Sequence, residues 1–189
     1  MCIRDSVSSP NTENLRNLQE KSSLNNLLYQ VMSSRENLKN KVPIFLKIAP
    51  DLSLNQIDDI SEIALKMQID AVVATNTTLD HQGLKSYVKN KQGGLSGRPL
   101  FSKSTWVLAN LSRRLEKRVP LIGVGGIASA QDAYIKLLAG ASAVQLYTGL
   151  VYNGMGLVTK INTGLSEILS QQNKTHISDI VGSETEEFL

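Results

Sequence analysis

The sequence predicts an α/β protein, specifically the C-terminal five strands of a partial (β/α)8 TIM barrel. Three observations carry that prediction. Short apolar runs alternate with helical segments, every run ends in small or polar residues, and the last two ends, Gly125-Gly126 and Tyr147-Thr148, have the character of a phosphate site. A doubly wound sheet gathers its ligand groups at one switch point, usually after the first strand. A barrel brings every strand end to one mouth and holds phosphate with the loops after its last two strands. All five runs here end in candidate binding groups, which selects the barrel. A complete barrel needs eight strands and about 250 residues, so these 189 residues read as part of a longer protein.

Strand ends are expected at Ser8, Ile48, Thr75, Val124 and Leu146. The opening hexapeptide MCIRDS has no apolar core and is not a signal peptide. Residues 1–6 are therefore set apart as a non-native leader, 7–170 as the barrel portion and 171–189 as a polar tail free to fray. Residues 7–12, VSSPNT, form a strand end entering a turn: Pro10 biases Ser9 toward extended backbone, and Asn11 is a turn former. Leu24, Leu27, Leu28, Val31 and Met32 then recur at helical spacing.

The next strand, PIFLKI at 43–48, is almost wholly apolar, as buried parallel strands are. Lys47 within it admits two readings. Its amine either meets an anion near the barrel interior or reaches past the strand end to water. Ser53 and Gln56 make a capping box for a helix whose buried stripe is Ile57, Ile60, Ala64 and Met67.

Residues 71–75, AVVAT, run into Asn76, Thr77 and Thr78, a row of hydrogen-bonding side chains suited to a polar ligand or to an ordinary βα loop. Residues 79–103 lack periodicity and contain GGLSG followed by Arg98-Pro99, either a lid over a site or a surface excursion. Helix resumes with Val107, Leu108, Leu111 and Leu115. The strand at 120–124 stops at the glycine pair, where a ligand can approach the backbone and a following helix offers free N–H groups. Ser129 and Asp132 suggest a second capping box, Gly140 a helix C′ residue, and a closing helix is expected over 157–169.

Composition excludes several classes. An apolar share of 41% is ordinary for a globular protein, and a net charge of +3 with dispersed basic residues gives no nucleic-acid footprint. No run is long enough to span a bilayer. A single cysteine, Cys2, and two distant histidines, His81 and His176, give neither a disulfide framework nor metal-ligand spacing. A reduced, cytoplasmic setting is the default, and no metal is expected.

With these residues assembled, the chain resembles the dihydroorotate dehydrogenases, flavin enzymes of pyrimidine synthesis. The likeness extends from about residue 7 to about residue 169, carried by VSSPNT, LKIAPDL, TNTT, GGLSGRPL, IGVGGI and VQLYTGL in family order. It implies that Ser9 is the catalytic base and that Asn11, Asn76 and Thr77 bind the orotate ring. It also implies that Lys47, Thr75, Gly97, Gly126, Tyr147 and Thr148 contact FMN, the last three around its phosphate. The class that uses fumarate or NAD has cysteine at the base position, so serine implies the quinone-linked, membrane-associated class. The implied reaction is oxidation of (S)-dihydroorotate to orotate in UMP biosynthesis, with a quinone as electron acceptor.

Ser9 would take the proton from C5 while hydride leaves C6 for the flavin, assisted by a hydrogen-bonded relay for which Thr12 is a candidate. Lys47 would supply positive charge near the pyrimidine edge of the flavin. Peripheral membrane contact is expected through an N-terminal part that this chain lacks. The place is the cytoplasmic side of a bacterial cell membrane or, alternatively, the mitochondrial inner membrane. The family pattern has asparagine where Ser6 stands, so either the native residue has been lost or the site is impaired. Unpaired strand edges invite aggregation, and the fragment alone is expected neither to fold stably nor to turn over substrate. The rivals are another phosphate- or FMN-binding barrel enzyme, a non-catalytic truncated fragment and, last, a nicotinamide-binding doubly wound protein, for which no G-x-G-x-x-G follows a strand.

Overall fold

The computed structural model of the chain describes residues 7–11, 14–82, 84 and 93–189, together with the backbone of Ile3–Asp5. Among these residues five parallel strands form one sheet: β1 (Ile3–Asp5), β2 (Ile44–Ile48), β3 (Ala71–Ala74), β4 (Leu121–Val124) and β5 (Ala143–Gln145). Their spatial order is β1-β2-β3-β4-β5, with Leu46 beside Val72, Val73 beside Ile122, and Gly123 beside Val144. Sequential order without reversal is that of a barrel wall, whereas a doubly wound sheet reverses direction at its switch point. The partial-barrel expectation holds.

The helices are α1 (Lys21–Glu36), α2 (Leu54–Met67), α3 (Phe101–Leu115), α4 (Ala130–Leu138), α5 (Thr148–Asn153) and α6 (Gly156–Gln171). Alternation along β2 sets the layers. Ile44, Leu46 and Ile48 are buried, while Phe45 and Lys47 point to the other face and are half-buried. Leu46 and Ile48 belong to a core that includes Leu24, Leu28, Ile57, Ile60, Leu108 and Leu111. A second core gathers Ile127, Leu137, Leu157, Ile161 and Leu165 between α4 and α6. Among the described residues no helix is long and apolar enough to cross a membrane.

Local chemistry explains the helix ends. Ser53 Oγ accepts the Gln56 amide at 3.3 Å while Gln56 Oε1 accepts the Ser53 amide at 2.9 Å, the reciprocal box expected from sequence. Gly140, at φ +120°, ends α4 in a Schellman arrangement: its amide donates to Leu137 O at 3.0 Å and that of Ala141 to Lys136 O at 2.9 Å.

Three expectations need correction. The first strand is Ile3–Asp5, inside the hexapeptide set apart as a leader, because its backbone pairs in register with Ile44, Phe45 and Leu46. Strand geometry thus ends earlier than Ser8, and Val7 and Ser8 lie in a buried turn. Ser129 accepts the Asp132 amide at 3.1 Å, yet the Asp132 carboxylate does not return to the Ser129 amide; it accepts the Ala128 amide at 3.0 Å and pairs with Arg98. The tail is not loose. Short 3-10 turns at Ile177–Asp179 and Thr185–Phe188 hold it across α3 and α4, burying Ile180 and packing Phe188 against both cores. The physical reason lies at the end of α4, whose last carbonyls need donors: the Gly182 and Glu184 amides supply them to Leu137 and Leu138 at 2.9 and 3.2 Å.

Candidate active site

Lys47 of β2 and the segments that follow β3, β4 and β5 line a cavity of about 350 Å³ at the carboxyl ends of those strands. That is the size of a small-ligand pocket and the edge where barrels place their chemistry. Lys47 lines the cavity from β2, since its strand position faces away from the buried set of Ile44, Leu46 and Ile48. Thr75, Asn76 and Thr77 follow β3, Gly126 follows β4, and Tyr147 and Thr148 follow β5. Gly97 arrives from the long connection after β3. Eight of the ten residues singled out by sequence thus line one hollow.

Ser9 and Asn11 are not part of that lining. Ser9 is half-buried, and its Oγ accepts the Asn11 amide at 3.3 Å; Asn11 is exposed. The link from this turn into the cavity is made by Ser8, which sequence reasoning passed over. Ser8 Oγ donates to Lys47 O at 2.8 Å and accepts Asn76 Nδ2 at 3.2 Å. Ser6 and Thr12 lie outside the described residues.

The connection after β3 is pinned where it leaves and where it returns. Thr78 and Leu95 form an antiparallel bridge, with amide-to-carbonyl distances of 3.1 and 2.7 Å. Gly94 packs so closely that a Cβ there would lie 1.9 Å from Thr77 Oγ1 and 2.7 Å from Pro10 Cγ. Only glycine lets this strand of loop close over the turns after β1 and β3. Gly97, at φ +80°, brings Ser96 against the far side, where Thr148 Oγ1 donates to Ser96 Oγ at 2.9 Å. The lid reading is thereby favoured for residues 93–97, and residues 85–92 lie outside the described set.

A charged knot that the sequence did not announce fixes the near rim. Arg16 donates to Asp51 Oδ2 at 2.9 Å, to Thr77 O at 2.9 Å and to Ser8 O at 3.3 Å. Asp51 also accepts the Thr78 hydroxyl, the Leu79 amide at 2.9 Å and Lys103 Nζ at 3.1 Å. Burial alone would raise the Asp51 carboxyl, but donation from Thr78, Leu79, Arg16 and Lys103 outweighs it and holds the group below its ordinary value. Lys103 is depressed by burial and raised further by Asp80 and Asp51, for a net upward shift. The available signal was the aspartate in APDL, but nothing in its spacing named its partners.

On the opposite rim the glycine pair rests on the first turn of α3. A Cβ at Gly126 would lie 2.5 Å from Phe101 Cβ and 2.9 Å from Phe101 N, and Gly126 sits at φ +75°. This bare backbone opposite Gly97, Ser96 and Thr148 leaves room for a tetrahedral anion surrounded by small polar groups. The small polar groups around this backbone, Ser96 and Thr148, fit a phosphate, and Lys47 lines the same cavity. Among the described residues there is no cluster of His, Cys, Asp or Glu that would hold a metal ion.

Comparison with known proteins agrees with this geometry. A family model described as dihydroorotate dehydrogenase matches residues 3–169. The dihydroorotate dehydrogenase (quinone) of Cereibacter sphaeroides is 52% identical over 177 residues, covering 94% of this chain and 50% of that protein. The protein of the same name from Parvibaculum lavamentivorans is 49% identical over 179 residues, covering 94% and 51%. Among solved structures, ligand-free dihydroorotate dehydrogenase from Eimeria tenella superposes with a TM-score of 0.92 at 34% identity, over 96% of this chain and 55% of that one. The chain spans about half the length of the curated relatives it matches. With the family match extending over most of its length and the strand-end residues gathered at one cavity, the chain belongs to the dihydroorotate dehydrogenase family.

Proposed function

We propose that this chain is the C-terminal portion of an FMN-dependent, quinone-linked dihydroorotate dehydrogenase that oxidises (S)-dihydroorotate to orotate in pyrimidine biosynthesis. The observation that carries the proposal is the single cavity that joins a bare-backbone phosphate cradle at Gly97, Gly126 and Thr148 to an inward-facing lysine and the Asn76-Thr77 pair. The relatives' names, which specify a quinone, support the choice of electron acceptor.

The flavin supplies the two-electron acceptor when bound, and the protein supplies orientation and proton transfer. Gly97, Gly126, Tyr147 and Thr148 would hold the flavin's phosphate, and Thr75 and Lys47 would contact its ring. Lys47 places positive charge where negative charge accumulates on reduction. Asn76, Thr77 and Asn11 present amide and hydroxyl groups to the pyrimidine. Asn76 is held in place, since its Oδ1 accepts the Thr77 amide at 2.8 Å and its Nδ2 donates to Ser8 Oγ at 3.2 Å. Ser9 takes the proton from C5 of dihydroorotate. A serine hydroxyl is a weak base at neutral pH and needs an onward path for that proton. Contact with the membrane is assigned to the N-terminal half that the relatives possess, at the cytoplasmic face of a bacterial membrane.

The test uses the full-length protein carrying this chain. Ser9→Ala is expected to keep FMN bound and still shift the flavin spectrum on adding orotate, while turnover falls about 100-fold or more. Normal turnover would remove Ser9 from the role of base. A spectrum that responds to other ligands and not to orotate would contradict the substrate assignment.

A further inference from the structure

Behind the glycine pair lies a buried amine for which the proposed chemistry has no use. Lys136, on α4, is fully buried. Its Nζ donates to Ser104 Oγ at 2.7 Å and to Phe101 O at 3.3 Å, and stands 4.8 Å from the centre of the Phe101 ring. Ser104 Oγ lies 3.0 Å from Phe101 O and 3.4 Å from Gly125 O. Phe101 and Ser104 form the first turn of α3, and on that turn the glycine loop rests. A Cβ at Gly125 would stand 2.6 Å from Ser104 Oγ, and one at Gly126 would stand 2.5 Å from Phe101 Cβ. The amine therefore grips from behind the turn whose front carries the loop facing the cavity. An apolar side chain of similar volume would fill this space without the desolvation cost of an amine, so packing alone does not account for lysine.

We propose that Lys136 is a positioning residue for the phosphate of bound FMN, holding the first turn of α3, and through it Gly125-Gly126, in the anion-accepting arrangement while placing positive charge behind the loop. This inference rests on the FMN reading above. It also carries a pH dependence. Burial lowers the Lys136 amine to about 7, opposed by Asp132 one turn earlier on α4. Asp132 is itself paired with Arg98. The α3 side presents Phe101 and Ser104, which do not titrate, while Lys103 is turned to Asp51 and Asp80. β4, Leu121–Val124, carries no titratable side chain, and its Gly123 lies against the lysine stem. An anion at the loop favours the charged amine, so FMN binding takes up a proton and weakens as pH rises from roughly 7 to 9.

The experiment strips flavin from the full-length protein and titrates FMN and riboflavin by fluorescence quenching between about pH 6.5 and 9, in wild type, Lys136→Met and Ser104→Ala. Wild type is expected to prefer FMN, with a preference that falls as pH rises. Lys136→Met is expected to lose about tenfold or more in FMN affinity, to keep riboflavin affinity within about twofold, and to lose the pH trend. Equal loss for both flavins, the mark of a merely structural role, overturns the inference, as does unchanged FMN affinity. Should Lys136→Met fail to fold, Ser104→Ala decides. A selective FMN loss of about threefold or more supports the inference, and an unchanged FMN-to-riboflavin ratio overturns it. A wild type that does not distinguish the two flavins removes the cofactor reading itself, and the inference with it.

Discussion

Two sides of the site are built differently. The glycine side is backbone: Gly97, Gly125 and Gly126 come close to Thr148, Ser104 and Phe101 because they carry no Cβ, and Lys136 of α4 holds the first turn of α3 behind Gly125-Gly126. The Asn76 side is tied by side chains: Ser8, Arg16, Asp51 and Asn76 come from separate turns and are linked by hydrogen bonds, Ser8 also holding the Lys47 carbonyl. A backbone cradle tolerates no added atoms but needs little help from distant residues. A side-chain knot tolerates small changes in shape but fails when one charge is removed.

The largest effect should come from testing the first half of that contrast. Gly126→Val adds a branched side chain at φ +75°, where its Cβ meets Phe101 backbone at under 3 Å. Left-handed strain and overpacking together cost about 2–5 kcal/mol. The full-length protein should then purify without flavin. Retained stoichiometric flavin would show that the cradle is looser than its contacts imply.

Asp51→Ala tests the other half. It leaves Arg16 without its carboxylate, and Lys103 keeps only Asp80. The pair's partial exposure limits the loss to about 1–2 kcal/mol. Dihydroorotate KM is expected to rise severalfold while FMN retention stays unchanged, and loss of both would blur the contrast. Acid should mimic the variant. The Asp51 carboxyl is lower in the folded state than its ordinary 3.8, so its contribution is present above that value and fades as pH falls through the depressed one. Substrate affinity measured below about pH 4 should therefore decline in wild type more than in Asp51→Ala.

The smallest effect belongs to a feature remote from both sides. Ser53→Ala removes a helix cap and should cost about 1 kcal/mol in denaturant unfolding, with kinetics unchanged. An altered KM would mean that α2 transmits strain to the Asp51 loop beside it.

The same contrast explains what the sequence made legible. Gly126, Gly97, Asn76 and Thr148 were readable because their meaning is local: a glycine or polar residue at a strand end needs no partner to be noticed. The capping box at Ser53 and the C′ glycine at 140 were local too. Lys47 became interpretable only once strand alternation fixed its face. Arg16, Asp51 and Lys136 escaped because their roles are relations between residues as much as 61 apart in sequence, which no local spacing encodes. The tail misled because its few apolar residues show no period, although they dock where α4 leaves carbonyls open. The first strand, Ile-Arg-Asp, carries no apolar run of its own, and only its pairing with β2 reveals it.

The central claim is that one rim of consecutive strand ends brings a flavin and a pyrimidine acid together. Anaerobic mixing of the oxidised full-length protein with dihydroorotate, followed by visible absorbance, tests it most directly. The account predicts one flavin per chain and bleaching of its visible band within a single turnover. A protein that purifies with FMN yet keeps its band in saturating dihydroorotate would contradict it.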